Sequence, residues 1–322
     1  MKLIDVTMRD GGHQNNFEWS KEFPSRLSAA YKDVASVEYI ELGYWKQTGK
    51  FDGPFYNLSF DLLQSISQSL ETLPKLAIMV DYHYCSKNVS DYPGVEQGIS
   101  LIRITARKEH VKEALAFGKR VRLQSGSEVS INIFNISNYK QQELDEIVDE
   151  FSKEPLDFLY FADTHGSIDL SLEKEFENFS HLANKIKTTQ AKPGFHLHNH
   201  SGKAYKNFMN LEKMGFEFAD ASINGLGKGL GNLKMEEVLE VNEAIGILQL
   251  WADSPEDFEM PQNPYGIIGA RCSMTDHYAE QAQDLNIPVD SFLRFAINAN
   301  RETRDNFNPG LLPQWDAGYG KL

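Results

Sequence analysis

The chain has 322 residues, of which 41% are hydrophobic and 24% charged, a composition typical of a globular protein with a sizeable core. Its 46 acidic and 32 basic side chains give a formal net charge of -14, which argues against nucleic acids and anionic membranes as partners. No apolar run approaches the ~20 residues of a membrane span, and the start "MKLIDVTMRD" lacks the apolar stretch of a secretory signal. The two cysteines, Cys85 and Cys272, are far apart in sequence, so we expect a cytoplasmic protein without a disulfide framework.

Short apolar, β-branched runs alternate with amphipathic stretches along the first 250 residues. The predicted strands are residues 2–7, 37–42, 76–82, 100–105, 129–134, 157–162, 194–199 and 218–223. Residues 59–73 and 109–121 have the apolar spacing of helices, and the acidic stretch 141–151 is typical of the solvated face of a helix. Such alternation implies a parallel sheet, and eight units over ~250 residues favour a closed (β/α)8 TIM barrel. An open doubly wound sheet remains the alternative.

The regular alternation ends near residue 250. Residues 261–274 have the proline and glycine of a loop, and residues 288–303 predict a helix with Pro288 in its first turn. We therefore expect a TIM-barrel catalytic domain at 1–250 and a helical C-terminal extension at 251–322.

Polar side chains lie toward the C-terminal ends of the predicted strands, where barrel enzymes place their active sites. They are Asp10, Glu41, Tyr44, Asp81, Arg103, Asn132, Asp163, Thr164, His196 and His198. We predict that five of them bind substrate: Glu41, Tyr44, Arg103, Asn132 and Thr164.

The motif "HLHNH" places two histidines on one face of the seventh strand. Residues two apart in a strand point the same way, so His196 and His198 would project together as ligands of one divalent metal, or as a polar pair in the barrel mouth. Asp10, after the first strand, is the natural third ligand, and a hard ion such as Mg²⁺ or Mn²⁺ suits this mixed set. The alternative is that Asp10 caps a helix or pairs with Arg9. His200 has the same parity and is expected beside the ligands.

The stretch "VTMRDGGHQ", residues 6–14, adds two candidate catalytic groups. The guanidinium of Arg9 can bind a carboxylate and stabilise an enolate oxygen, although a structural ion pair with Asp10 is the competing interpretation. The ordinary pKa of histidine suits His13 as a general base, but loop histidines are often only solvated. We expect Gly11 and Gly12 to turn this loop tightly over the mouth.

A glycine-rich segment, "NGLGKGLGN" at 224–232, follows the eighth strand. Its backbone N–H groups, including that of Gly227, are predicted to contact a ligand, and so is Asn232, which is also placed as the cap of the next helix. A tight turn alone would also explain these glycines.

Three motifs, "DVTMRDGGHQ", "HLHNH" and "GLGKGLGN", occur in an order and spacing that resembles the DRE-TIM metallolyase superfamily. The resemblance covers about residues 1–245 and is closest to 4-hydroxy-2-oxovalerate aldolases. It implies Mn²⁺ or Mg²⁺ held by Asp10, His196 and His198, an enolate stabilised by Arg9, and His13 as acid/base on the substrate hydroxyl.

Within that superfamily, the loop at 224–232 lacks the catalytic cysteine of 3-hydroxy-3-methylglutaryl-CoA lyases. It has Lys228 where isopropylmalate and homocitrate synthases tend toward an acidic form, and the modified lysine of biotin-dependent carboxyltransferases has no counterpart. The sequence therefore predicts a metal-dependent aldolase joining or cleaving pyruvate and an aldehyde. An acyl-CoA-dependent Claisen condensing enzyme is the alternative, and a non-catalytic barrel a weaker one.

The partners implied are a small 2-oxo acid and an aldehyde. Homo-oligomerisation and a dehydrogenase partner are left open, because catabolic aldolases usually continue into a longer C-terminal domain. The run "RDGGHQNNFEW" also resembles aldolase-like proteins associated with surface-sugar biosynthesis, so a substrate other than hydroxyoxovalerate is compatible with the motif.

Overall fold

Eight parallel strands pair in chain order, and the eighth pairs with the first to close a barrel. The computed structural model describes residues 1–45, 51–70, 74–260 and 263–319. The strands are β1 Lys2–Asp5, β2 Val37–Tyr44, β3 Lys75–Asp81, β4 Ile99–Ala106, β5 Glu128–Ile133, β6 Phe158–Asp163, β7 Lys192–Leu197 and β8 Phe218–Ala221. All eight predicted strands and the (β/α)8 barrel are confirmed.

Helices alternate with the strands and then continue without them. They are α1 Thr7–Gly11, α2 Phe23–Ala30, α3 Phe60–Ser69, α4 Val111–Ser125, α5 Gln141–Lys153, α6 Glu173–Lys187, α7 Ala204–Met214, α8 Met235–Val238, α9 Val241–Asp253, α10 Pro264–Arg271, α11 Asp276–Asp284, α12 Val289–Asn298, α13 Arg301–Asp305 and α14 Leu311–Tyr319. The predicted helices at 59–73 and 109–121 correspond to α3 and α4, and the end of the first, 71–73, lies outside the described residues.

Two apolar layers hold the barrel together. One fills its interior with Ile4, Val6, Tyr39, Ala77, Leu101, Phe158, Tyr160 and Phe218. The other lies between strands and helices, where α5 buries Leu144, Ile147, Val148 and Phe151 and turns its acidic residues toward solvent. Because the interior layer fills the barrel, polar chemistry is left to its C-terminal end.

The helices after the barrel have an apolar core of their own. It is built from Met274, Tyr278, Phe292, Phe295 and Leu312, among others. The barrel's apolar layer extends through Leu250 of α9 to Phe258. The division of the chain at residue 250 remains a prediction, and these two cores favour a division after Phe258.

The expected loop at 261–274 is wrong over residues 264–271, whereas residues 272–274 lie outside any helix or strand. Residues 264–271 form α10, because the Asn263 side chain accepts a hydrogen bond from Gly266 N and Pro264 occupies the first turn. The predicted helix at 288–303 is two helices, α12 and α13, and Pro288 is the N-cap of α12 rather than a first-turn residue. The Asn263–Pro264 pair therefore begins a helix here instead of ending one.

The C-terminal helices reach the barrel at the carboxyl ends of its strands. Arg107, after β4, donates to the Asn306 side chain at 3.3 Å, and His165, after β6, lies 3.8 Å from a carboxylate oxygen of Asp305. The helices therefore cover part of the mouth. No helix in the described ranges is both long and apolar enough to cross a membrane.

Candidate metal centre and active site

Asp10, His196 and His198 converge at the carboxyl end of the barrel. Their ligand atoms all lie within 4.8 Å of one another, and all three residues are buried. Asp10 Oδ2 is 3.9 Å from His196 Nε2 and 3.8 Å from His198 Nε2. Asp10 reaches this point from α1, His196 from β7, and His198 from just beyond β7, where it bridges to Asn232.

The second nitrogen of each imidazole is held by a neighbour. His196 Nδ1 donates to Asp220 Oδ2 at 2.9 Å, which leaves Nε2 facing Asp10. His198 Nδ1 lies 3.0 Å from Nε2 of His200, so the expected place of His200 beside the cluster is the observed one. Burial, followed by the nearby His200 and His196, lowers the pKa of His198 well below its ordinary value and favours the neutral form that ligates metals.

Arg9 bridges two carboxylates next to this cluster. Its Nη1 donates to Asp10 Oδ1 at 2.5 Å and its Nε to Glu41 Oε2 at 2.7 Å. Burial lowers the pKa of Arg9, but Glu41 and Asp10 outweigh that effect and raise it, so the group is charged. Its Nη2 makes no hydrogen bond within the described part of the chain.

A closed sequence of charged contacts, here called the buried charge ring, continues from Arg9 around the barrel. Glu41 Oε2 also accepts from Arg103 Nη1 at 3.1 Å, and Arg103 Nη2 donates to Asp220 Oδ2 at 2.7 Å. The ring is Asp10, Arg9, Glu41, Arg103, Asp220 and His196. Three carboxylates of the ring face two guanidinium groups, and this excess of acidic groups favours a cation at the cluster.

Three residues that were predicted to bind substrate instead belong to the ring or are bonded to it. Glu41 and Arg103 are fully buried, and Arg103 also lies over the Tyr160 ring at 4.4 Å. With its amide oxygen toward Arg103, Asn132 accepts from Nη2 at 2.8 Å and Nε at 3.2 Å. The structure places these three in the barrel beneath the mouth, where they support the ring.

The charge of Asp10 is set by its surroundings. Burial raises the pKa of this carboxyl, but Arg9, His198 and His196 outweigh it and hold the pKa well below the ordinary 3.8. Asn232 Nδ2 donates to Asp10 Oδ2 at 2.7 Å and to Leu226 O at 3.1 Å. The predicted role of Asn232 as a helix cap is therefore wrong: Lys234 is the N-cap of α8, and the Asn232 amide is already bonded to Asp10.

The glycine-rich loop after β8 approaches the site closely. A Cβ on Gly227 would lie 2.3 Å from Asn232 Nδ2 and 2.7 Å from Asp10 Oδ2, so only glycine fits there. Gly225, Gly229 and Gly231 have positive φ and form the turns. The loop is joined to the first one because Gln14 Nε2 donates to Gly227 O at 2.5 Å.

His13 and Tyr44 lie together at the mouth. His13 Nε2 is 3.4 Å from the Tyr44 hydroxyl oxygen, and the imidazole packs edge-on to Phe17 at 4.9 Å between ring centroids. Gly11 ends α1 and the chain then turns as expected, with Gln14 N donating to Gly11 O at 2.8 Å, although Gly12 has helical backbone angles. Glycine is required at position 12 because a Cβ there would meet Phe17 and the Met8 carbonyl oxygen.

Two cavities open at the mouth. The first, about 670 Å³, is lined by His13, Gln14 and the β8 loop on one side and by residues of 251–283 on the other. The second, about 390 Å³, is lined by the ends of β3 to β6, including Asp81 and Thr164, and by His277 and Asp305. Lys228 borders both cavities.

The Asp10, His196 and His198 donors fit a divalent ion. Ligand atoms that share one ion at about 2.1–2.2 Å can be at most about 4.3 Å apart, and both histidine to Asp10 distances meet that limit. One carboxylate and two neutral imidazoles leave coordination positions for substrate oxygens.

Asp220 is the functional neighbour that the sequence analysis missed. It lies in β8, which was treated as a plain strand, and it is buried together with its partners Arg103 and His196. Strand parity was the available signal, because Phe218, Asp220 and Ser222 alternate and Phe218 faces the barrel interior. Gln14 was missed as well, since nothing local shows that it reaches across to the β8 loop.

Comparison with known proteins gives a family match over the middle of the chain. Residues 101–255 match the HMGL-like family. The match spans β4 to α9 and includes both histidines of the cluster, so the predicted resemblance to the DRE-TIM superfamily is confirmed.

The curated relatives of this chain are distant enzymes. A 4-hydroxy-2-oxovalerate aldolase of Thermus thermophilus is 23% identical over 255 residues, covering 76% of this chain and 69% of the relative. An oxaloacetate decarboxylase of Mycobacterium tuberculosis is 20% identical over 310 residues, covering 91% and 89%. These relatives confirm the predicted enzyme class, a carbon–carbon lyase.

Solved structures share the fold. The N-terminal domain of a Bacteroides vulgatus protein described as a candidate aldolase superposes with a TM-score of 0.67 at 20% identity, covering 93% of this chain and 97% of that one. The carboxyl transferase domain of Rhizobium etli pyruvate carboxylase, solved with pyruvate, gives 0.68 at 15% identity and covers 92% of this chain and 56% of that one.

Proposed function

We propose that this protein is a divalent-metal-dependent aldolase that cleaves or forms the bond between pyruvate, as its enolate, and an aldehyde. The observation that carries the proposal is the buried Asp10, His196 and His198 cluster with the Arg9 guanidinium directly beside it. The names of the aldolase relatives and the pyruvate bound to a protein of the same fold support it. We further propose that the protein is cytoplasmic, as the sequence predicts.

The proposed metal is Mn²⁺ or Mg²⁺. A set of one carboxylate and two imidazoles with open positions suits either ion, and the excess of acidic groups in the buried charge ring favours a cation. When bound, such an ion supplies a positive charge that polarises the keto oxygen of the 2-oxo acid.

Arg9 stabilises the negative charge that develops on the enolate oxygen. Two of its nitrogens are fixed by Asp10 and Glu41, so the guanidinium is held in place before the reaction, while Nη2 remains for the substrate. Pre-fixed charge of this kind requires no reorganisation at the moment of bond cleavage.

His13 takes the proton of the C4 hydroxyl in the cleavage direction. The C3–C4 bond then breaks, its electron pair forms the enolate of pyruvate, and the C4 carbon leaves as the aldehyde. The contact between His13 and the Tyr44 hydroxyl orients the imidazole at the mouth, where the first cavity begins.

We assign the remaining predicted residues to two tasks. Thr164, at the wall of the second cavity, and the Gly227 backbone, beside Asp10, contact the substrate. Glu41, Arg103 and Asn132 are positioning residues that act through Arg9 and His196, and Asn232 holds Asp10.

Exchange of the pyruvate methyl protons with D₂O tests this function. We expect exchange that requires Mn²⁺ or Mg²⁺ and is lost after chelation, because enolate formation is the step that all pyruvate aldolases share. Asp10→Asn combined with His196→Ala should abolish exchange while circular dichroism stays native. Full activity in that variant after chelator treatment would overturn the proposal.

Oxaloacetate decarboxylation is the second candidate, favoured by the Mycobacterium tuberculosis relative. It would form the same enolate by losing CO₂ instead of an aldehyde, and it needs no group at the position of His13. His13→Ala should therefore abolish aldol cleavage and retain oxaloacetate turnover if decarboxylation is the native reaction. Release of free thiol from acetyl-CoA with 2-oxo acids would instead indicate the Claisen alternative.

A further inference from the structure

The first cavity lies between the barrel and the C-terminal helices. Its barrel side is the β8 loop, and its other side is residues 251–260 together with α10 and α11. At about 670 Å³ it has the size of a site for a ligand much larger than a two- or three-carbon aldehyde.

This cavity meets the proposed reaction at His13. The hydroxyl that His13 deprotonates is attached to the carbon that the aldehyde contributes. Everything beyond that carbon must therefore extend from His13 into the space that His13 and Gln14 border. The cavity is thus on the aldehyde side of the bond that is made or broken, whereas Thr164 borders the other cavity.

Three asparagines build the wall in the same way. Each uses one end of its amide to fix backbone: Asn199 Oδ1 accepts from Ala204 N at 3.1 Å, Asn224 Nδ2 donates to Phe258 O at 3.0 Å, and Asn263 Oδ1 accepts from Gly266 N at 2.7 Å. Among the described residues, the other end of each amide makes no hydrogen bond. An amide that is fixed at one end can form hydrogen bonds through its other end with the hydroxyl groups of a ligand.

The charged and aromatic side chains of the cavity wall further restrict the chemical class of the ligand. Lys228 and Lys234 are balanced by Glu259 and Glu280, so the ionised side chains give no net preference for an anion. Trp251 also borders the cavity, and an indole ring adds apolar surface suited to the C–H groups of a hydroxylated ligand.

We propose that the aldehyde partner of this enzyme is an uncharged, hydroxyl-rich aldehyde of roughly four carbons or more, bound in the first cavity. This inference rests on the proposed pyruvate aldolase function and names the class of its second substrate.

The test compares two aldehydes as substrates and uses a variant in which a larger side chain fills part of the cavity. With pyruvate, Mn²⁺ and wild-type protein, kcat/KM for the free-aldehyde form of erythrose should exceed that for acetaldehyde by about 10-fold or more, because only the longer molecule reaches the amides. Ile267 is 36% exposed on α10 at the cavity wall. Ile267→Trp should therefore reduce the preference for erythrose by about 10-fold.

The matched control is Ile297→Trp. Ile297 is 58% exposed on α12 and does not border the cavity, so the same substitution there should leave the preference unchanged. Ribitol, which cannot react, gives a readout without turnover: we expect saturation-transfer NMR signals with wild type and with Ile297→Trp, and weaker ones with Ile267→Trp.

The outcomes separate the two proposals. Preference for acetaldehyde together with absent ribitol signals overturns the inference, and preference for erythrose 4-phosphate overturns its uncharged class. If no pyruvate proton exchange occurs but ribitol binds and Ile267→Trp weakens it, the aldolase function fails and the hydroxyl-rich ligand of this cavity is supported.

Discussion

Asp220 holds one member of the Asp10, His196 and His198 cluster without belonging to it. Its Oδ2 accepts from both His196 Nδ1 and Arg103 Nη2, so one buried oxygen fixes a ligand ring and anchors a buried cation. Burial raises the pKa of Asp220, but Arg103 and His196 outweigh it and lower the pKa, which keeps the carboxylate ionised. Partners of this kind increase the basicity of a ligand and fix its orientation.

Asp220→Asn should weaken Mn²⁺ binding by roughly 10- to 100-fold, because His196 loses a charged acceptor while side-chain size is kept. Isothermal titration calorimetry measures the dissociation constant, and circular dichroism checks the fold. Asp290→Asn is the control, since the Asp290 side chain is 73% exposed on α12. An unchanged dissociation constant would show that Asp220 has no influence on the cluster.

Gly227 lies against the same cluster from the other side. Gly227→Ala would place a methyl group 2.7 Å from Asp10 Oδ2 and 2.3 Å from Asn232 Nδ2, both of which are held by hydrogen bonds. We expect Mn²⁺ affinity to fall by about 10-fold or more and stability by about 1–3 kcal/mol from overpacking. Gly318→Ala, where a Cβ meets no atom within 4 Å, is the control for calorimetry and thermal unfolding. Wild-type affinity in Gly227→Ala would contradict the close approach.

Sequence reasoning predicted the Asp10, His196 and His198 cluster because strand parity and barrel closure are enough to bring these three residues together. Sequence reasoning predicted that Glu41 and Arg103 bind substrate. A position near the end of a strand does not tell whether a side chain points into the barrel mouth or is hydrogen-bonded beneath it. Asp220 could not be singled out without knowing which charges surround it. Which charged side chains pair across the barrel depends on distances in the folded structure, and a local sequence pattern does not give these distances.

At the scale of elements, β1 is tied to α2 by a buried carboxyl. Asp5 accepts hydrogen bonds from Thr7 N at 3.0 Å, Thr7 Oγ1 at 2.9 Å and the Tyr31 hydroxyl at 2.5 Å. Burial raises the pKa of Asp5 from 3.8 to about 6, even though these hydrogen bonds act in the opposite direction. The folded state therefore holds a proton that the unfolded protein releases at lower pH.

This difference predicts a loss of stability as pH rises. Between about pH 4 and pH 6 the unfolded protein ionises at Asp5 first, so the free energy of unfolding falls by about 3 kcal/mol from this group and stays lower above pH 6. Asp5→Asn removes that contribution. Relative to wild type, the variant should gain about this amount between pH 4 and pH 7 in urea unfolding, whatever its constant offset from altered hydrogen bonds.

Comparing the two proteins at each pH cancels groups they share, including Asp163, whose pKa burial also raises to about 6. Parallel stability curves for wild type and Asp5→Asn would contradict the buried, proton-holding state of Asp5.

The existence and type of an element were predictable where apolar periodicity is strong, as in the eight strands and in α4, while the bounds differ by up to four residues. The prediction failed at 264–271, because asparagine and proline occur both in turns and at helix starts, and only the cap hydrogen bond from Gly266 to Asn263 decides between them. The prediction also failed at Asn232, which does not cap the next helix. Its amide instead donates a hydrogen bond to Asp10, which is far away in sequence.

The whole molecule is a filled barrel with its ligand cluster, its charge ring and its two cavities at one end. The interior apolar layer blocks the barrel below the ring, and the C-terminal helices cover part of the mouth above it. The three carboxylates, two guanidinium groups and one imidazole of the ring are thereby buried together, with one more acidic than guanidinium group. A cation that binds there would reduce the cost of burying these groups in the folded state only.

Metal binding should accordingly stabilise the entire fold. An ion that binds the native state alone, at about 100 times its dissociation constant, adds about 2.7 kcal/mol to the free energy of unfolding. Scanning calorimetry with Mn²⁺ should show a higher Tm for wild type, reversed by chelation and nearly absent in His198→Ala. His181→Ala is the matched control, because the His181 side chain is 64% exposed on α6, and it should respond to Mn²⁺ as wild type does. An equal shift in all three proteins would place the stabilising ion outside the Asp10, His196 and His198 cluster.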